Sequence, residues 1–468
     1  MLDQLPAEIL EEIIYYLIDL DAKEREKARH PYNGKCGTAL SFMALSHVNS
    51  RLRKSCESFR WKTILFLRKQ SRKVNAAHTT LYPPTRHVRA IQATVPLLGD
   101  NDDIDQRCFK YFHHLEAFLD KFSQNRVKHI RLYTPSSLPL DKLASLSNPE
   151  DSIGRHLNNA HRKILSSLVQ FPLLTSLEIN GACFNFGAHN DIAECVSQLP
   201  NLVRFRATSS LPIAIDTMSH SIQLGESLAS LCSLEYLALQ NLQYPDSTWA
   251  DLNWKGPLKF LFISDCWNIK DDALYRFISK FVTLKKIRLL RQEMSLSPGF
   301  LHSFPILFQA LESFTFLGIS FENRIFEILS RATKLERLHV HLYVPEDILQ
   351  GMISSIDENS WPSLKVIIFS RVDPKNEQKI FLENWCLERQ VKIKFHSCLS
   401  IDSLEEEEDL VDDADLTDGS DTEEISDVVA DDDEQFDTLS VTSTADSDDS
   451  ELSTPEDWTC PSWIRDHE

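Results

Sequence analysis

The chain has 468 residues, of which 42% are hydrophobic, and a formal net charge of −20. The acidic excess belongs to its last part, because the residues from 401 onward include 27 acids and one base, which leaves 48 bases and 42 acids before them. The first 400 residues are therefore mildly basic, and with 12 glycines in the chain and no GxxxxGKS/T or GxGxxG segment, the sequence excludes the common phosphate-binding loops.

The start of the chain carries no export signal. Residues 1–4 lack a basic segment followed by an apolar one, so we expect neither secretion nor membrane insertion. The apolar stretch 304–321 contains Pro305, Gln309 and Glu312, which favours a buried repeat over a membrane span. Ten cysteines without a CxxC pair are typical of reduced thiols, which predicts a cytoplasmic and/or nuclear location.

The N-terminal segment predicts three short helices. Ile9, Leu10 and Ile13 begin an apolar stripe at helical spacing that follows Pro6, a residue suited to a first helical turn. A second periodic run covers residues 40–61. A unit of this size buries too little apolar surface to be stable alone, so it needs a partner.

Two strings in this segment carry a family resemblance. LPAEILEEIIYYL at 5–17 and ALSFMALSHVNSRLRKSCESFRW at 39–61 contain an LPxE start, an LSxVNxxLR middle and a terminal tryptophan. Residues 1–66 thus resemble the F-box of fungal-type F-box proteins, although the charged link between the two strings is longer than usual. In that family the motif docks on a Skp-family adaptor and joins a cullin ubiquitin ligase. The resemblance implies an adaptor-binding set of Leu5, Pro6, Ile9, Leu45, Val48 and Trp61.

An alternative needs no partner protein. Helical apolar stripes are usually intramolecular core, so residues 5–61 could instead form a cap on the rest of the chain.

The middle of the chain is repetitive. An LxxLxL pattern recurs in steps of 28, 32, 24, 26, 27, 24 and 29 residues. These steps are typical of leucine-rich repeats, whose units each supply a strand and a returning helix and bury one another's apolar faces. The unit around Cys266 resembles the cysteine-containing subtype of leucine-rich repeat, which often follows an F-box. The first positions are Leu174, Leu202, Leu234, Leu258, Leu284, Leu311, Leu335 and Leu364.

The predicted fold class is α/β. A three-helix F-box at 1–66 precedes an irregular leucine-rich-repeat solenoid at 86–398, clearest at 174–370, and a disordered acidic tail at 401–468. The solenoid is predicted to be a curved parallel sheet with outer helices. Strand-like segments at 88–94, 127–133 and 391–395 extend the regular repeats in both directions.

Residues three, five and seven of each unit are predicted to line the concave face of this sheet. In nine units they include six Lys or Arg residues and three His but one acid, Glu178. This bias predicts a groove for an acidic or phosphorylated protein client, with aromatic residues as apolar anchors. For any one base, a solvated surface role is the simpler interpretation, and the lack of a nucleic-acid-binding motif disfavours nucleic acid. The predicted client-binding residues are Arg131, Arg204, Arg206, Lys286, Arg288, Arg337, His339, His341, Phe260, Phe262 and Tyr236.

Catalytic patterns are missing from the sequence. It contains no GxSxG, no HExxH and no spaced Cys and His zinc pattern. His339 and His341 share a strand face but have no third ligand nearby, which favours a solvated pair over a metal site. The sequence therefore predicts no enzyme, no catalytic residues, no metal and no cofactor.

The tail is too acidic to bury a core and is predicted to be disordered. Ser420, Ser426, Ser447 and Ser450 precede acidic residues and resemble sites of acidophilic kinases. The favoured role of the tail is to keep the protein soluble. Two alternatives are that the tail folds back on the basic concave face and competes with acidic clients, or that Trp458 and Trp463 form a docking motif.

These features together predict the substrate-recognition subunit of a Skp, cullin and F-box ubiquitin ligase. Such a protein holds a client near a conjugating enzyme that other subunits carry. The alternatives are a leucine-rich-repeat scaffold that delivers no client, and an anion- or histone-binding module.

Overall fold

The structure of the protein is a computed structural model. It describes residues 63–66, 90–94, 126–133, 152–180, 189–209, 218–242, 245–266, 268–290, 310–318, 332–342, 361–370 and 376–396, with isolated helical positions at 9, 10, 13, 113, 115–117, 119, 120 and 353. The chain divides into two units, Met1–Ser400 and Ile401–Glu468. The second unit, with the predicted tail and its four candidate serines, lies outside the described residues.

Twelve parallel strands form one sheet, and their order in the sheet is their order in the chain. From β4 onward, successive strands begin 24 to 32 residues apart, as the LxxLxL spacing predicts. The predicted α/β repeat fold is confirmed. The strands are β1 Thr63–Phe66, β2 Ala90–Thr94, β3 His129–Tyr133, β4 Ser176–Asn180, β5 Arg204–Thr208, β6 Tyr236–Gln240, β7 Phe260–Ser264, β8 Lys286–Leu290, β9 Ser313–Gly318, β10 Arg337–Leu342, β11 Val366–Ser370 and β12 Lys392–His396.

Helices connect several of these strands. Within the described residues they are α1 Ser152–Leu168, α2 His189–Ser197, α3 Met218–Ser230, α4 Asp271–Ile278 and α5 Asn376–Glu388, with a 3-10 helix at Ser247–Ala250. Their apolar residues face the core, since Ile192 and Val196 of α2 and Leu274 and Phe277 of α4 are buried.

Alternation along β4 and β5 explains why the sheet face towards the helices is apolar. In β4 and β5 the second and fourth residues are buried and the others are half-buried, the pattern expected when alternate side chains point to opposite faces. The buried residues join the helices in one continuous core that includes Leu177, Phe205 and Phe314. No unit could bury these side chains by itself, so stacking of neighbours stabilises the fold.

The backbone repeats the same hydrogen bonds from unit to unit. The carbonyl of Lys128 accepts hydrogen bonds from the N–H groups of Thr175 and Ser176, at 2.8 and 2.9 Å. The carbonyls of Thr175 and Val203 accept equivalent pairs from the next strands. Each strand therefore starts in a register that its predecessor fixes.

Ion pairs join residues that immediately precede neighbouring strands. Glu235 meets Lys259 at 2.8 Å, and Lys285 meets Glu312 at 2.8 Å. The hydrogen bond and the charge of Glu312 raise the pKa of Lys285. All four side chains are at least one-third exposed, so each pair contributes little to stability.

The sheet begins earlier in the chain than predicted. β1 pairs in parallel with β2, with Thr63 opposite Ala90, whereas the solenoid was expected to start near residue 86. β1 also falls within residues 1–66, the range assigned to the helical F-box. The prediction missed it because the strand has only four residues, TILF, and no leucine repeat before it.

Three positions of the first predicted helix are described, and all three are helical. Ile9, Leu10 and Ile13 lie in a helix in which Leu10 is buried and Ile9 is 42% exposed. Elsewhere, within the ranges given above, no helix is both long and apolar enough to cross a membrane.

Candidate ligand-binding face

The concave face, opposite the helices, carries rows of side chains that the strand register aligns, and two of these rows contain most of the predicted client-binding residues. One row runs from Ser176 through Arg204, Tyr236 and Phe260 to Lys286. A second row contains Arg131, Glu178, Arg206, Ala238, Phe262, Arg288, Thr315 and His339. Neighbours within a row are about 5 Å apart, because that is the distance between paired strands.

Positive charge predominates on this face. The strand positions that line it carry eight Lys or Arg residues and one acidic residue, Glu178. Two of the eight, Lys392 and Lys394, lie on β12 and were not among the predicted client-binding residues. The sequence could have identified them, because in the segment Val391–Phe395 the alternate residues 392 and 394 occupy the positions that face the concave side in the earlier strands.

Arginine and aromatic side chains stack on the central strands. The Tyr236 and Phe260 rings are parallel, with 4.2 Å between their centroids. The guanidinium carbon of Arg204 lies 4.5 Å from the Tyr236 ring centroid, and that of Arg288 lies 6.0 Å from the centroid of Phe260. Stacking of this kind restrains both the rings and the cations, so the face presents them in fixed positions.

These rings belong to a second apolar cluster, separate from the main core. Ala238, Phe260, Phe262 and Leu290 form it, and Tyr236 packs against it. The cluster occupies β6 to β8, with bases on β3 and β5 to one side and Lys286 and Arg288 at the other. The predicted client-binding residues of β5 to β8 are thus brought together around an apolar centre.

A polar cluster lies beside it, on β3 to β5. Glu178 Oε2 is 3.2 Å from Arg131 Nε, and Glu178 Oε1 is 3.5 Å from Arg206 Nε. The Asn180 amide also donates a hydrogen bond to Glu178 Oε1 at 2.6 Å. The one acid of the concave face therefore contacts two of its predicted client-binding arginines.

Some predicted site residues are less accessible than expected. Phe262 is 4% exposed and His339 is 3% exposed. The interpretation of His339 and His341 as a solvated pair is wrong for His339, which is buried, as are its register partners Thr315 and Ile368 on the neighbouring strands. The His341 side chain lies outside the described residues, and Arg337 is half-buried on the same strand.

Of the predicted adaptor-binding residues, the structure describes Ile9 alone, on an exposed part of its helix. Leu5, Pro6, Leu45, Val48 and Trp61 lie outside the described residues. In sequence, Trp61 stands two residues before β1, the position that Leu174 holds before β4.

Of the four cysteines in the described part of the chain, Cys195, Cys266 and Cys386 are buried and Cys232 is exposed. Cys195 is buried, which together with the charge of Glu194 raises the pKa of its thiol to about 12. Burial likewise raises the pKa of Cys386 to about 11, with a further contribution from Glu383. Among the described residues, no group of three or more His, Cys, Asp or Glu side chains could hold a metal ion.

Comparison with known proteins gives weak structural likenesses. No protein-family model matches the chain, and no curated protein matches it in sequence. The leucine-rich repeat-containing protein LegL7 from Legionella pneumophila is similar with 12% identity and a TM-score of 0.35, over 70% of this chain and 97% of that one. The yeast Rad7 and Elc1 complex gives 13% identity and a TM-score of 0.37, over 77% of this chain and 91% of that one. These scores are too low to carry a functional inference.

Proposed function

We propose that the protein is a non-catalytic substrate-recognition subunit of a Skp, cullin and F-box ubiquitin ligase. In this proposal the N-terminal helices dock on the adaptor, and the concave face holds an acidic or phosphorylated client. The observation that carries the client part is the concave face itself, where bases flank a preformed aromatic stack. The F-box part is supported by the two sequence strings and by the exposed Ile9 on the first helix.

The arrangement suits binding better than chemistry. The half-buried ring of Tyr236 lies beside the charge of Arg204 and is stacked on Phe260, which is only 8% exposed. A client segment with an apolar side chain near an acidic one would match both the ring and the charge. Charge then guides the approach of the client, while the restrained aromatic contacts limit the entropy lost on binding.

Adaptor docking is tested by co-purification of the full-length protein with a Skp-family adaptor. We expect the wild type to retain the adaptor stoichiometrically and the Leu5→Ala, Pro6→Ala double variant to lose it, because apolar contact is removed from the interface. A matched control is Ile380→Ala with Leu387→Ala, which removes two exposed apolar side chains from α5. Retention of the adaptor by the Leu5, Pro6 variant would contradict the docking proposal and favour the helical cap.

Client delivery is tested by the lifetime of proteins that the chain captures in cells. We expect their half-lives to lengthen when the chain is deleted. Wild type should restore turnover, but neither the Leu5, Pro6 variant nor an Arg204→Gln, Tyr236→Ala variant should do so. Loss of the stack should weaken capture roughly tenfold. Stacked aromatic contacts contribute about 1 kcal/mol each, and a tenfold change in affinity corresponds to about 1.4 kcal/mol. Unchanged lifetimes would favour the scaffold that delivers no client.

A further inference from the structure

The side chain of Glu178 behaves as a built-in anion on the concave face. Its carboxylate lies between Arg131 on β3 and Arg206 on β5, and these three residues are direct neighbours in the strand register. It also accepts the 2.6 Å hydrogen bond from the amide of Asn180. Charged and polar groups from three adjacent strands therefore surround one carboxylate, and the two guanidinium groups leave this cluster with a net positive charge.

Two further polar atoms next to this cluster point to a ligand. Asn180 Oδ1 and Thr208 Oγ1 are buried, and neither has a hydrogen-bond partner among the described residues. Asn180 and Thr208 are register partners on β4 and β5, so these groups lie side by side. Buried polar atoms normally have a partner, and where the protein supplies none, water or a ligand does.

We propose that the Glu178 carboxylate occupies an oxyanion subsite, and that a phosphorylated or acidic client side chain takes its place. Arg131, Arg206, the amide N–H of Asn180 and the hydroxyl of Thr208 are the donors for the client oxyanion. A peptide N–H of the client then satisfies Asn180 Oδ1. This assignment rests on the proposed function, in which the concave face binds an acidic client.

Replacement of Glu178 favours phosphate over carboxylate. A phosphoserine carries a charge of about −1.5 to −2 at neutral pH and has three acceptor oxygens, whereas Glu178 carries one charge and two oxygens. Two arginines and a hydroxyl match the additional charge and the third oxygen. A client must displace the Glu178 carboxylate from the two arginines in order to bind. Weakly charged segments therefore bind poorly, whereas phosphorylated segments compete effectively.

The neighbouring aromatic stack defines the rest of the client motif. Tyr236 on β6 is two strands from Glu178 on β4, a separation of about 10 Å. An extended peptide covers about 3.3 Å per residue, so it reaches the stack about three residues from its phosphate. The subsite therefore selects a phosphorylated residue followed or preceded, about three positions away, by an apolar side chain.

The test uses purified full-length protein and three fluorescent peptides of otherwise neutral sequence. They carry phosphoserine, glutamate or serine three residues before a phenylalanine, and binding is followed by fluorescence anisotropy. We expect Glu178→Gln to bind the phosphoserine peptide about tenfold more tightly than wild type, because the competing charge is gone. The control Glu235→Gln removes an acid outside this face and should leave affinity unchanged.

A second variant leaves the ion pairs intact. Thr208→Val removes a hydroxyl that has no hydrogen-bond partner in the described part of the chain, so the melting temperature should not fall, while affinity for the phosphoserine peptide should drop about tenfold. Equal affinity of wild type and Thr208→Val, or no gain in Glu178→Gln, would overturn the proposal. So would equal gains for the serine peptide, and so would a lack of binding by every variant. Adaptor co-purification does not depend on this subsite, so its result reports separately on the proposed function.

Discussion

Replacing Trp249 by alanine will lower the free energy of unfolding by about 3 to 5 kcal/mol, the loss typical of a fully buried aromatic side chain. Trp249 follows the cap of the 3-10 helix, where the backbone N–H of Thr248 donates to Asp246 Oδ1 at 2.8 Å. Its ring contacts Trp254 and Phe277, with centroid distances of 5.8 and 6.3 Å. Urea denaturation of the full-length protein measures the effect.

The surroundings of Trp249 explain why the cavity would persist. A side-chain carbon added at Gly225 of α3 would lie 2.7 Å from Trp249 Nε1, so the helix already approaches the indole as closely as glycine allows. α3 cannot move inward without disturbing the units on either side. The control is Phe381→Ala on α5, which truncates an aromatic side chain that is 45% exposed. A loss for Trp249→Ala as small as that for Phe381→Ala would show that this region relaxes freely.

Acid will destabilise the protein through His161. This residue of α1 is buried, and burial lowers its pKa to about 4 from the 6.5 expected for an exposed histidine. The unfolded chain therefore binds a proton more readily than the folded one between these two values. The stability that depends on a neutral His161 is fully present above pH 6.5. As pH falls towards 4, the unfolding free energy decreases by about 3 kcal/mol in all through this residue.

The measurement is the difference between wild type and His161→Leu in unfolding free energy at several pH values. Carboxylates titrate in both proteins and cancel in this difference, so the His161 contribution remains. We expect the unfolding free energy of the leucine variant, relative to that of wild type, to increase steadily as pH is lowered from 6.5 to 4. The control is His113→Leu, which replaces an exposed histidine. Parallel curves for wild type and His161→Leu would disprove the linkage.

Much of the repeat architecture is predictable from the sequence because one periodic signal encodes it. Leucines such as Leu258 and Leu284 are buried, and the strands follow them in the predicted phase. Burial of Cys266, whose thiol donates to the carbonyls of Leu239 and Ser264, likewise agrees with its place in the repeat. β1 was missed because four residues are too few to show a period.

The candidate site is less predictable, because it depends on which strands are neighbours. The sequence identifies Arg131, Glu178 and Arg206 as concave-face residues, but 47 residues separate Arg131 from Glu178 and 28 separate Glu178 from Arg206. Their contact follows from the strand register. The stack of Arg204, Tyr236 and Phe260 has the same origin, since each residue comes from a different unit.

The matching order of the strands in the sheet and in the chain also has a consequence for biosynthesis. Each strand pairs with the one synthesised just before it, so no strand must wait for a distant part of the chain. The contacts that close the sheet are short in sequence, which keeps relative contact order low for a parallel sheet. As the chain leaves the ribosome, each completed unit provides the template for the next, and the growing edge is covered as fast as translation proceeds.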